Sequence, residues 1–102
     1  MNSDKIYSVD EIRELISKNF SLLSSRYNVK SFLLFGSHAR GLQNANSDID
    51  LLVDFNETID MFDLIDLKKH LAQIFNKKID LGTPNGLKPF VKQSILKEAI
   101  VL

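Results

Sequence analysis

The chain has 102 residues, 13 basic and 13 acidic, so its formal net charge is zero. That length suits a single domain spanning 1–102, and the 44% hydrophobic content excludes a disordered chain. Cysteine is absent, which excludes disulfides and thiolate metal sites. The polar opening MNSDKIYSVDEIRELI is unlike a secretory leader. No apolar run reaches the roughly 18 residues of a membrane helix. A cytoplasmic protein with no membrane partner is expected. The neutral balance also argues against direct nucleic-acid binding, since general binders are usually basic.

Along the chain, residues 8–26 read as a helix. Val9, Ile12, Ile16, Phe20 and Leu23 recur at helical spacing, and Leu15 and Leu22 widen the stripe. Ser8 and Glu11 have the spacing of a capping box. KSFLLF at 30–35 predicts a strand buried on both faces, ending at Gly36. Residues 37–43 allow one or two helical turns, and NANS at 44–47 reads as a loop. DIDLLVDF at 48–55 alternates. Ile49, Leu51, Val53 and Phe55 point one way, and Asp48, Asp50, Leu52 and Asp54 the other. Residues 60–75 return to helical periodicity, and KKIDL at 77–81 predicts a third strand. GTPNG at 82–86 is a turn. A last helix starts near Pro89, with Val91, Ile95, Ala99 and Ile100 as its buried stripe. The order of elements predicts a compact α/β (α+β) domain, helices packed on a small sheet.

Three segments carry chemistry: GSHARG at 36–41, SDIDLLVDF at 47–55 and KKIDL at 77–81. On a strand, Asp48 and Asp50 share a face with Cα atoms roughly 6.5–7 Å apart. Two such carboxylates suit Mg²⁺, which takes oxygen ligands and usually one or two carboxylates beside water and phosphate. Without a cation they would repel, and one pKa would rise. Aspartate is a poor strand former, so two of them inside the most apolar segment need a reason beyond solvation. If the strand of Asp80 lies beside this one, a third carboxylate joins, and three can hold two metals roughly 3.5–4 Å apart. Asp80 then faces the attacking hydroxyl and can take its proton. Gly36 lets the backbone approach a ligand closely. Ser37 follows with a hydroxyl and a turn whose free N–H groups suit phosphate.

Other polar residues read as ordinary. Arg40 either contacts phosphate or pairs with an acidic neighbour. His38 is expected on the surface, His70 is expected to be solvated, and Asp54 is expected to be solvated or to support a neighbour. Glu57, Asp60, Asp63 and Asp66 read as loop and helix-start acids. Seven acids and no bases lie from Asp48 to Asp66, and seven lysines follow from Lys68 onward. The phenylalanines are spread over different elements and read as core or interface.

The run GSHARG, ten intervening residues after Ser37, then DIDLLV, and a later strand aspartate resembles the polymerase β-like nucleotidyltransferase superfamily. More narrowly, the chain resembles the minimal nucleotidyltransferases that form the antitoxin half of HEPN–MNT toxin–antitoxin pairs. The resemblance implies that core fold, with a small mixed sheet. It also implies that Gly36 and Ser37 match the nucleotide-phosphate loop and that Arg40 and Gly41 match its continuation. Asp48, Asp50 and Asp80 match the catalytic, metal-binding carboxylates. The implied reaction is Mg²⁺-dependent transfer of AMP from ATP to a hydroxyl, a tyrosine, of a HEPN-type RNase toxin, with which the chain would form a hetero-oligomer. Two other functions fit the same residues: a module that neutralises its partner by contact alone, and a nucleotidyltransferase acting on a small molecule.

Overall fold

A computed structural model describes residues 5–86 and 88–102, apart from the Asn85 side chain. Met1 to Asp4 of the polar opening and Leu87 lie outside the described residues. The elements in order are α1 (Val9–Tyr27), β1 (Val29–Phe35), α2 (Ser37–Arg40), β2 (Ile49–Phe55), α3 (Met61–Phe75) and β3 (Ile79–Gly82). A 3₁₀ turn (Pro84–Gly86), α4 (Pro89–Glu98) and β4 (Ile100–Val101) complete the chain.

The helix ends follow from local chemistry. The Glu11 N–H donates to Ser8 Oγ, and the Ser8 N–H donates to Glu11 Oε1, which closes the expected capping box. Asp60 caps α3 by accepting from the Asp63 N–H at 2.8 Å. Asn28 and Asn76, both at positive φ, end α1 and α3.

The sheet order is β3-β2-β1-β4. β1 runs antiparallel to β2 and to β4, and β2 and β3 are parallel, which makes the sheet mixed. A register irregularity between Val29 and Ser31 lets Val29 share the core side with Phe32 and Leu34 despite the odd spacing. These residues join Ile49, Leu51, Val53 and Ile79 of the other strands. Ile12, Ile16, Leu23 and Tyr27 of α1, with Leu67, Leu71 and Phe75 of α3, close over that face. The Tyr7 hydroxyl donates to the Phe75 carbonyl at 2.8 Å, and the two rings meet edge to face.

Three expectations change. β1 is fully buried on one face only; Leu33 and Phe35 are half-buried, because that side of the sheet is covered by the short α2 and by α4. No residue of α4 is fully buried. Ile100 does not continue the α4 stripe: Ala99 is already extended, and Ile100 pairs with Leu34 in β4. Of the phenylalanines read as core or interface, Phe62 and Phe90 stand outside the core, 84% and 72% exposed.

Candidate active site

Strand pairing assembles the site. Asp50 lies opposite Phe35 on one side and Asp80 on the other. The parallel register thus sets two carboxylates side by side on neighbouring strands, while Asp48, expected on the strand, stands just before β2 begins at Ile49. The carboxyl groups of Asp50 and Asp80 come within hydrogen-bonding reach. Asp48 stands further off, its Oδ2 at 3.9 Å from Lys78 Nζ. Among the described residues, no three His, Cys, Asp or Glu side chains converge closely enough to hold a metal ion by themselves, so the close pair is Asp50 and Asp80.

The pairing has an electrostatic consequence. The Asp50 carboxyl is pushed up to about 6. Burial is the main cause, followed by the charge of Asp80, the hydrogen bond with it and the charge of Asp48, while Arg40 opposes the shift. The donor set is all oxygen and carries surplus negative charge, which fits a hard divalent cation completed by water and phosphate.

Gly36 sits directly beyond Phe35, with φ +72° and ψ −149°, a conformation essentially reserved for glycine. A Cβ at this position would collide with Asp50 Oδ2. The backbone therefore passes against the carboxylate before turning into Ser37 and α2. Gly41 closes that short helix, and the Leu42 N–H donates back to the Ser37 carbonyl at 2.9 Å.

The segment leading into Asp48 is braced by its own side chains. The Asn44 N–H donates to Ser47 Oγ, and the Asn46 N–H donates to Asn44 Oδ1. Lys77, 3% exposed, reaches under this loop and donates to the Ala45 carbonyl at 2.9 Å. His38, expected on the surface, is 2% exposed. Burial and the Lys77 charge lower its pKa, against a hydrogen bond to the Asp48 backbone. Sequence reading missed both residues as parts of the site. The only signal for Lys77 was its place just before the third strand aspartate.

Arg40 pairs with an acidic neighbour: its Nε donates to Glu98 Oε2 at 3.0 Å, fastening α2 to α4. Asp54 is exposed and accepts the Phe55 N–H. His70 is partly buried and lies 6.1 Å from the Tyr27 ring.

Comparison with known proteins agrees with this geometry. A Methanocaldococcus jannaschii protein provisionally named protein adenylyltransferase MJ1217 is 40% identical over 96 residues, covering 93% of this chain and 98% of its own. A solved structure provisionally described as a minimal nucleotidyltransferase superposes with a TM-score of 0.78 at 32% identity, over 94% of this chain and 97% of that one. A toxin–antitoxin structure with AMP-PNP matches with a TM-score of 0.69 at 27% identity, over 83% of this chain and 69% of that one. Residues 10–102 match the nucleotidyltransferase domain. A DxD strand, a neighbouring strand aspartate and a glycine turn thus stand in a fold shared with these proteins, and the chain belongs to the nucleotidyltransferase domain family.

Proposed function

We propose that this protein transfers AMP from ATP to a hydroxyl of a partner protein, a HEPN-type toxin, and so acts as its antitoxin. The adjacent carboxyls of Asp50 and Asp80 beside the Gly36 turn carry this reading. Support comes from a relative of nearly the same length provisionally named a protein adenylyltransferase and from the toxin–antitoxin structure with AMP-PNP.

Asp48, Asp50 and Asp80 would hold magnesium, which when bound offsets triphosphate charge and acidifies the acceptor hydroxyl. The main chain at Gly36 and Ser37 holds the phosphates. The acceptor oxygen bonds to the α-phosphorus while the bond from that phosphorus to the bridging oxygen breaks and pyrophosphate leaves. Asp80, on the outer strand, takes the hydroxyl proton. A tyrosine is the acceptor that the family resemblance implies.

The test is label transfer from α-labelled ATP to the partner in magnesium. Asp48→Asn/Asp50→Asn should abolish it while circular dichroism stays unchanged. Full transfer by a folded double variant would falsify the mechanism.

A further inference from the structure

A second surface adjoins the carboxylates, formed by the outward face of α3 and the free edge of β3. Ile65, Lys68, Lys69 and Ala72 of α3 join Lys78 and Ile79 around a cavity of about 330 Å³. Spacings of three and four residues set the α3 members on one stripe of the helix. The adjoining stripe is closed against the sheet by Leu67, Leu71 and Phe75, so the groove runs along the flank of α3. Ile65, by contrast, is 47% exposed. The floor is apolar and three ammonium groups stand around it. Among the described residues, Lys68 and Lys69 form no salt bridge, and Lys78 leans toward Asp48.

The strand beside this groove is open. β3 is an outer strand of the sheet. The Ile49 N–H donates to the Lys78 carbonyl at 3.1 Å. In a parallel ladder, even-numbered residues of β3 therefore turn their main-chain groups to β2, and Ile79 and Leu81 turn theirs outward. Asp80 lies between these two. A segment pairing with Ile79 and Leu81 would run directly past it.

The occupant is specified by what the surface lacks. Three lysines call for carboxylates, Ile65 with Ala72 for apolar side chains, and the open edge for an extended main chain. A nucleic-acid backbone would answer the lysines alone and could not pair with the main-chain groups of the β3 edge. We propose that the acceptor protein docks here through an acidic extended segment added to the β3 edge, with its carboxylates over Lys68, Lys69 and Lys78. This rests on the acceptor being a protein, as read above. Docking in this way brings the acceptor hydroxyl along the edge to Asp80.

The probe is a fluorescein-tagged, end-capped peptide of sequence ELEYELE, its binding to the full chain followed by anisotropy at low salt. Lys68→Glu/Lys69→Glu should weaken binding by at least about tenfold through like-charge repulsion, and added salt should weaken it too. The milder Lys68→Ala/Lys69→Ala pair should show an intermediate loss. Asp50→Asn should leave peptide binding intact, so a failed transfer reaction and a failed docking site are read separately. Equal binding by wild type and the charge-reversed pair overturns the proposal. So does displacement of the peptide by ATP, which would make the lysines a triphosphate site, or tighter binding of a single-stranded oligonucleotide. Concentration-dependent self-association lost in the charge-reversed protein would also overturn it, by assigning the groove to a second copy of this chain.

Discussion

Gly36 and Gly41 both have φ +72°, yet they answer different demands. Gly41 is in the ordinary left-handed region, with ψ 21°, and a Cβ there would meet nothing within 4 Å. Gly36 combines its positive φ with ψ −149° and lies against the Asp50 carboxylate. Alanine at 41 should therefore cost about 1–2 kcal/mol, the ordinary left-handed penalty. Alanine at 36 should cost more than that, since strain and collision act together, and it should also displace Asp50 and lower transfer. Urea unfolding of the two variants measures the difference. Equal losses would show that Gly36 is only a turn residue. His38 shows the limit of reading single residues. Nothing beside it in the sequence is apolar enough to signal burial. It is buried because α2 packs on β1 and β2, which is a tertiary event.

Among the elements, α1 and α3 were legible because their apolar stripes and caps are local. Ser8→Ala should cost about 1 kcal/mol by removing half of the capping box, and Tyr7→Phe about the same by leaving the Phe75 carbonyl without its buried donor. Thermal unfolding checks both, and a loss below about 0.3 kcal/mol for Ser8→Ala would mean that the start of α1 is held from elsewhere. The strand carrying Asp50, with Asp48 just before it, was legible for a similar reason, since alternation shows which side chains share a face. The register of β3 was not. Only the pairing of Ile49 with Ile79 and of Leu51 with Leu81 sets Asp80 beside Asp50, and no pattern within KKIDL encodes that partner. β4 was hidden altogether. Two residues are too few for a period, and the helical stripe of Val91, Ile95 and Ala99 runs right up to Ile100. Its strand character comes from the neighbouring Leu33 and Leu34 and from Arg13, which donates to the Val101 carbonyl at 3.0 Å.

At the scale of the whole molecule, a net charge of zero conceals segregation: the sheet face that carries Asp48, Asp50 and Asp80 concentrates negative charge that the fold does not neutralise. Folding raises the Asp50 pKa from 3.8 to about 6, so the folded state favours the protonated carboxyl. The penalty for ionising it is absent below the unfolded value. It grows as pH rises from 3.8 and is complete above about 6. Because Asp50 is partly exposed, solvent screening trims this to on the order of 1 kcal/mol. Without a divalent cation, the protein should therefore lose stability between pH 4 and pH 6.5 relative to Asp50→Asn, which lacks the titrating group. Magnesium binding only the folded state reverses the loss by mass action. Its effect on the melting temperature should be larger at pH 7.5 than at pH 5, where protons compete for the same oxygens. Calorimetric scans of wild type and Asp50→Asn, with magnesium or with EDTA at both pH values, test the coupling. A magnesium shift that is the same at both pH values, or that persists undiminished in Asp50→Asn, would place the cation away from these carboxylates.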